Sequence, residues 1–172
     1  LKQLPVPTHN EHDGGPYISA GLLIARNPKT GKQNVTIHRC QVNGPDRLGI
    51  LMLPRHTRAF YQMAEEAGQP LDVAIVIGVD PLTLLASQAI VPIDHDELEI
   101  AGALHGRPLP VVKCQTSEIR VPAEAEIVIE GYIDPAEPLV TEGPFGDHTG
   151  FYSLADQYPR VHVTAITMRR DA

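Results

Sequence analysis

Cysteine is scarce in this chain: Cys40 and Cys114 are its only two among 172 residues. Two thiols cannot build a disulfide framework, and their spacing matches no metal-binding pattern. They read as reduced, partly buried thiols of a cytoplasmic protein. Basic residues are also in short supply, 14 Lys and Arg against 21 Asp and Glu, for a net charge of −7. That balance excludes the broad basic footprint needed for nucleic acid or an anionic membrane surface, although a local basic group can still hold a phosphate. No apolar run approaches the roughly 18 to 20 residues that a membrane span requires. The opening Leu1-Lys2-Gln3 has neither an initiator Met nor signal-peptide regions, so the expectation is a piece of a longer chain. There is no internal repeat and no low-complexity tract. No predicted strand runs into a Gly-rich phosphate fingerprint, which argues against a Rossmann site.

What is present suits one folded domain over residues 1–172. Hydrophobic residues make up 42% of the chain and charged residues 20%, the balance of a globular protein. The 14 Gly and 16 Pro are dispersed, as expected for many short elements joined by turns. Runs rich in Val, Ile and Thr predict strands at Tyr17–Ala25, Asn34–Gln41, Leu48–Leu53, Leu71–Val76, Pro110–Cys114, Ala125–Ile133 and Val161–Met168. In the last of these, Val161, Val163 and Ala165 should share a face. Asn27-Pro28-Lys29-Thr30-Gly31 is a hairpin signal with Gly31 available for positive φ. Three short helices are predicted. One runs from Thr57 to Ala67 and stops at Gly68; a second is capped by Asp80 with Pro81 next; a third starts at Asp94 or Asp96 and ends near Gly106. The fold class is therefore α+β, built on a mainly antiparallel, barrel-like sheet with short inserted helices.

Three groups of residues carry chemistry. Glu142 and Asp147 flank Gly143-Pro144-Phe145-Gly146, a segment that reads as a tight turn able to aim two carboxylates into one cavity. Such neighbours can separate into an acid and a base. An exposed acidic turn is the plainer alternative, but His148-Thr149-Gly150-Phe151-Tyr152-Ser153 adds more functional groups than a solvated turn needs. In Asn34–Arg39, strand alternation puts Arg39 on the face of Val35 and Ile37, where a lone guanidinium is costly unless an anion pairs with it. A bulge that turns Arg39 to solvent is the competing reading. Asn34, His56 and Glu97 offer oxygen and imidazole ligands suited to Mg²⁺ or Mn²⁺, although their spacing gives no support. His9, His12 and Asp13 match no strong zinc pattern and read as a polar loop. Asp94-His95-Asp96-Glu97 reads as an acidic helix start that leaves Glu97 free for another role.

As a set these residues resemble the UbiD family of reversible decarboxylases. The resemblance rests on Asp13-Gly14-Gly15-Pro16-Tyr17-Ile18, Asn34 through Arg39, Leu53-Pro54-Arg55-His56, Gly78-Val79-Asp80-Pro81, Glu97 through Gly102, Val121 through Val128 and Glu142 through Gly150, all in the family's order. It implies a split β-barrel that binds prenylated FMN with Mn²⁺ or Mg²⁺, often joined by K⁺. By the same resemblance Asn34, His56 and Glu97 are the metal ligands, and Ile37, His38, Arg39, Leu53 and Arg58 contact the cofactor. Many members carry an aromatic residue at the place of His38, which points to a backbone contact there. Glu142, Arg39 and Asp147 fall on the catalytic trio: Asp147 as proton donor, Glu142 as its partner, Arg39 orienting both carboxylates and the substrate's own. The implied reaction is non-oxidative, reversible decarboxylation of a small aromatic or α,β-unsaturated acid, including 4-hydroxybenzoate-type acids of ubiquinone biosynthesis. A prenyl-flavin synthase would supply the cofactor, and the full-length protein would be a homo-oligomer. By the same resemblance, this stretch is expected to be a fragment of a longer enzyme, without the family's N-terminal segment and C-terminal oligomerisation domain. The alternative function is a flavin-phosphate-binding module without decarboxylase activity.

Overall fold

The apolar runs become strands in a computed structural model that describes residues 1–172. The first six are β1 (Tyr17–Ile18), β2 (Leu22–Arg26), β3 (Gln33–Ile37), β4 (Cys40–Gly44), β5 (Arg47–Ile50) and β6 (Leu71–Ile77). β7 (Val111–Lys113), β8 (Arg120–Pro122), β9 (Ile127–Ile133) and β10 (Val140–Glu142) follow. The last are β11 (Phe145–Gly146), β12 (Tyr152–Ser153), β13 (Asp156–Tyr158) and β14 (Arg160–Met168). Three helices, α1 (His56–Ala67), α2 (Pro81–Ala86) and α3 (Glu97–His105), are inserted among them. Eight strands form one antiparallel sheet in the order β1-β4-β5-β14-β9-β6-β2-β3, and three two-stranded ladders (β7–β8, β10–β13, β11–β12) lie apart from it.

The strand order forces the sheet to curl. β3 is one edge and β4 lies next to the other edge, yet only His38 and Arg39 join them. Three Cα steps span at most about 11 Å, so the two ends of the sheet must come together without a ladder between them. The result is a curled half-barrel with a split, and the chain crosses the split at His38–Arg39. The expected strand Asn34–Gln41 is therefore two strands, broken at the crossing. Tyr17–Ala25 is likewise broken, at Gly21, where an added Cβ would lie 2.7 Å from Ile75 Cγ2. Strand and sheet meet there too closely for any side chain.

The core has two layers, one on each side of the sheet. Leu23 and Ala25 of β2 join Ile75, Ile129, Ile133 and, from α1, Phe60 and Ala64. Leu22 and Ile24 join Val35, Ala74, Val76, Ile119 and Leu98 of α3. Successive residues of a strand face opposite sides, so β2 is buried on both faces and reads as an unbroken apolar run. β14 departs from the predicted alternation. Its pairing with β9 slips between Val163 and Ala165, a bulge that hands the inner face from Val161 and Val163 to Ile166 rather than Ala165.

The helix ends follow local chemistry. Asp80 accepts hydrogen bonds from the amides of Leu82 and Thr83 at the start of α2, and Asp96, rather than Asp94, caps α3 through the Leu98 amide. Gly68 and Gly106 end α1 and α3 in the left-handed conformation, φ 62° and 68°. Asp94 is left-handed itself (φ 70°) and accepts from Asn27 Nδ2 at 2.7 Å and Thr30 Oγ1 at 2.8 Å, tying the β2–β3 hairpin to the approach to α3.

Candidate active site

Glu142 is the last residue of β10, paired with Asp156, and its side chain is sealed from water. Asp147 follows β11 on the far side of a cis Gly143–Pro144 peptide. The segment is thus two short strands joined at Gly143–Pro144 rather than one tight turn. Arg39 Nε donates to Glu142 Oε1 and Nη2 to Oε2, both at 2.8 Å. Its Nη1 reaches Asp147 Oδ1 at 3.5 Å, and the guanidinium lies over the Phe145 ring, 5.2 Å from its centre. Bidentate pairing of this kind makes a buried guanidinium tolerable. Arg39 is aimed by the crossing between β3 and β4, not by strand alternation as the sequence pattern suggested. Burial opposes its charge, but Glu142 outweighs that and holds the guanidinium above its ordinary pKa. Burial and the Glu142 charge raise the Tyr17 phenol, which stays neutral. The two carboxylates differ in access: Glu142 is fully buried, whereas the Asp147 side chain is 40% exposed.

Asp147 and Arg39 open onto a cavity of about 590 Å³, within the range of small-ligand pockets. Asn34, Ile37, His38, Leu53, His56 and Glu97 line it too, with Leu51, Arg55 and the Ser87–Val91 segment completing the wall. A larger cavity of about 720 Å³ beside α3 contains none of these residues. Its cations, Arg26, Lys32, Arg107 and Arg120, are mixed with Asp96, Glu99 and Glu118, so size alone does not mark the site.

A chain of hydrogen bonds orders one wall. His38 Nδ1 lies 2.8 Å from the Leu51 carbonyl, which can only accept, so Nδ1 carries the proton. Nε2 then accepts from the Thr57 hydroxyl at 3.2 Å, and that oxygen accepts from Asn34 Nδ2 at 3.2 Å. Asn34 Oδ1 is left to accept from His56 Nδ1 at 3.0 Å, which frees the lone pair of His56 Nε2. Burial lowers the His38 pKa and keeps the ring neutral. Glu97, also buried, has no ion-pair partner; Oε2 accepts from the Val35 amide at 2.7 Å, while burial raises its pKa against that hydrogen bond. An oriented amide oxygen, an imidazole and an unpaired buried carboxylate fit a hard divalent cation.

Sequence reasoning missed Thr57, which carries no motif signal, and Arg55, which lines the cavity. Arg58 does not line it: its guanidinium lies over the Tyr61 ring at 5.1 Å, because Arg58 sits on α1 beyond the cavity's rim. His9 and His12 stay apart from the wall, and Asp13 organises their loop by accepting from the amides of His9 and Asn10.

The fold and site thus define a curled, split half-barrel with a charged triad at its split. The family model described as the 3-octaprenyl-4-hydroxybenzoate carboxy-lyase Rift-related domain matches residues 1–172, and the chain belongs to the UbiD family. Its fold matches an evolved dimeric form of the UbiD-class enzyme HmfF from Pelotomaculum thermopropionicum in complex with prFMN (TM-score 0.94, 57% identity), covering 97% of this chain and 39% of that one. The closed form of vanillic acid decarboxylase from Sedimentibacter hydroxybenzoicus gives TM-score 0.93 and 36% identity, covering 98% and 37%. Anhydromevalonate phosphate decarboxylase from Methanothermobacter thermautotrophicus is 44% identical over 172 residues, 100% of this chain and 40% of that protein. The chain thus spans well under half the length of these relatives. No helix is long and apolar enough to cross a membrane.

Proposed function

We propose that this chain is the cofactor-holding part of a lyase that removes CO₂, non-oxidatively and reversibly, from an aromatic or α,β-unsaturated carboxylic acid. The observation that carries the reading is Arg39, held by a sealed Glu142 and reaching an accessible Asp147 at the mouth of a 590 Å³ cavity. Prenylated FMN, present in the HmfF complex, supplies the electron-accepting ring for CO₂ loss when bound. Ile37, His38, Arg39 and Leu53 would line it, with Arg55 replacing Arg58 as the nearby cation. Asn34, His56 and Glu97 would hold Mn²⁺ or Mg²⁺, with K⁺ as a companion ion.

The chain's own residues then divide the work. Glu142 keeps Arg39 charged and fixed. Arg39 Nη1 orients Asp147 and offers a cation to the substrate carboxylate. Asp147, the carboxylate open to the cavity, gives the proton that replaces CO₂. His38, turned inward to Leu51 and Thr57, meets the ligand through its backbone. Within this reading a prenyl-flavin synthase supplies the cofactor, the full-length protein is a cytoplasmic homo-oligomer, and 4-hydroxybenzoate-type acids are among the candidate substrates. The test is Asp147→Asn in the full-length protein co-expressed with a prenyl-flavin synthase. CO₂ release should fall by about 10²- to 10⁴-fold, the usual contribution of a general acid, with the flavin-like absorbance retained. Undiminished turnover would remove Asp147 from the reaction.

A further inference from the structure

Asp147 has little of its own to hold it. Its side chain makes one long contact to Arg39, and its own backbone closes an exposed turn, Asp147 N donating to Phe151 O and Gly150 N to Asp147 O, both at 3.0 Å. The position of this carboxylate also depends on the backbone before it, which β12 holds on one side through Tyr152 and Ser153 and the segment from Asp13 to Gln41 grips on the other. Gly14 N donates to Pro144 O at 2.7 Å. Gln41 accepts from Gly143 N at 3.2 Å through Oε1 and donates to Gly14 O at 2.7 Å through Nε2. Asp13 Oδ1 accepts from Gly146 N at 2.8 Å, while its Oδ2 accepts from His9 N at 3.1 Å and Asn10 N at 2.8 Å. Packing leaves no slack: a Cβ on Gly14 would come within 2.4 Å of Gly143 O.

We propose that Asp13 is a positioning residue for Asp147, fixing through the Gly146 amide the backbone that leads into the residue bearing the proton-donating carboxylate. The inference rests on the role given to Asp147 above. Three backbone N–H groups converge on Asp13, and a carboxylate has two acceptor oxygens and no donor to set against them. Asn would turn an NH₂ toward at least one of those donors. Although burial opposes it, the hydrogen bonds from Gly146, Asn10 and His9 hold Asp13 below the usual carboxylate range, so the acceptor is ionised at neutral pH. The function thereby takes up the Asp13-Gly14-Gly15 motif as a brace beneath the site rather than as a ligand set.

The test compares wild type, Asp147→Asn and Asp13→Asn in the full-length holoenzyme, with kcat normalised to bound cofactor. A misplacement of about 1 Å at a reacting group costs up to about 100-fold in rate. Asp13→Asn should therefore lower kcat by about 10- to 100-fold, with KM, flavin absorbance and melting temperature little changed. An inactive wild type, or an undiminished Asp147→Asn, would defeat the decarboxylase reading itself. With those two behaving as expected, an Asp13→Asn enzyme at wild-type kcat overturns the positioning role. So does one that loses cofactor or stability while each cofactor-loaded molecule turns over normally. If Asp13→Asn does not fold, Asp13→Glu, which keeps the charge but displaces it by one methylene, is read by the same criteria.

Discussion

Arg39→Met removes the only cation in ion-pair contact with Glu142, whose side chain has no solvent exposure. A carboxylate stranded this way costs about 3–5 kcal/mol, because neither water nor a partner replaces the lost charge. Glu142→Met should cost a similar amount, since Arg39 is itself only 10% exposed and its remaining partner, Asp147, stands 3.5 Å away and partly in water. That residual contact is worth about 0–1 kcal/mol. The double variant Arg39→Met/Glu142→Met is the decisive one. It removes both charges and fills their space with apolar atoms, so it should lie within about 2 kcal/mol of wild type. The coupling energy would then reach at least about 4 kcal/mol, above the roughly 0.5–3 kcal/mol usual for residues in contact. Urea unfolding of the 172-residue chain, followed by circular dichroism, measures all four corners of the cycle; the slopes should agree, so that midpoints report stability. Each single variant should also melt about 6–20 °C lower, at about 2–4 °C per kcal/mol for a chain of this size. Single variants costing under about 1 kcal/mol each and adding in the double would be the signature of a solvated pair. Glu142 would then not be sealed behind the site.

Thr57→Val deletes the hydroxyl that links Asn34 to His38; Mn²⁺ affinity of the full-length protein should fall about 10- to 100-fold by calorimetric titration, as for other groups that orient metal ligands. An unchanged affinity would deny Thr57 that orienting role. Asp80→Ala should cost about 1–2 kcal/mol at neutral pH through loss of the α2 cap. Burial would raise the Asp80 pKa, but hydrogen bonds from Thr83 and Leu82 and the His105 charge lower it below 3.8. Its stabilisation is therefore full above 3.8 and is lost as pH falls through the lowered value, so the gap between variant and wild type should close in acid; a gap independent of pH contradicts the assignment. Burial pushes the Cys40 thiol up to about 12 and Cys114 up to about 11. Neither should react with a thiol reagent at mildly alkaline pH until the chain unfolds, and rapid labelling of the native protein would contradict their burial.

The features legible in the sequence are those whose causes lie within a few residues. Gly68, Asp80, Asp96 and Gly106 mark helix ends because a cap answers to its own turn, and Asn27–Gly31 marks a hairpin for the same reason. The break at His38–Arg39 has no local signal; it follows from β3 and β4 lying toward opposite ends of a sheet, with five other strands between them. The bulge that displaces Ala165 arises from register against β9, more than 30 positions away in the chain. Five strands of two or three residues, β8 and β10 to β13, are too short to show a period, and they include the pair that carries Glu142. Arg39 announced a need for an anion, but Glu142 lies 103 positions further on, so only family resemblance named the partner. That Arg55 lines the cavity while Arg58 lies over Tyr61 was not legible, because side-chain direction at the start of α1 depends on how that helix leaves β5.

The crossing at the split limits how this chain can change length over evolutionary time. One residue gained between Ile37 and Cys40 adds up to about 3.8 Å of slack, more than the 2.8 Å bonds from Arg39 to Glu142 can absorb. Insertions at the Asn27–Gly31 hairpin or in the exposed 148–151 turn leave the Arg39–Glu142 bonds untouched, although each meets hydrogen bonds of its own. Across relatives, loop lengths are therefore expected to drift everywhere on the surface before they drift here. The span from β3 to β4 should stay at two residues even where His38 is replaced.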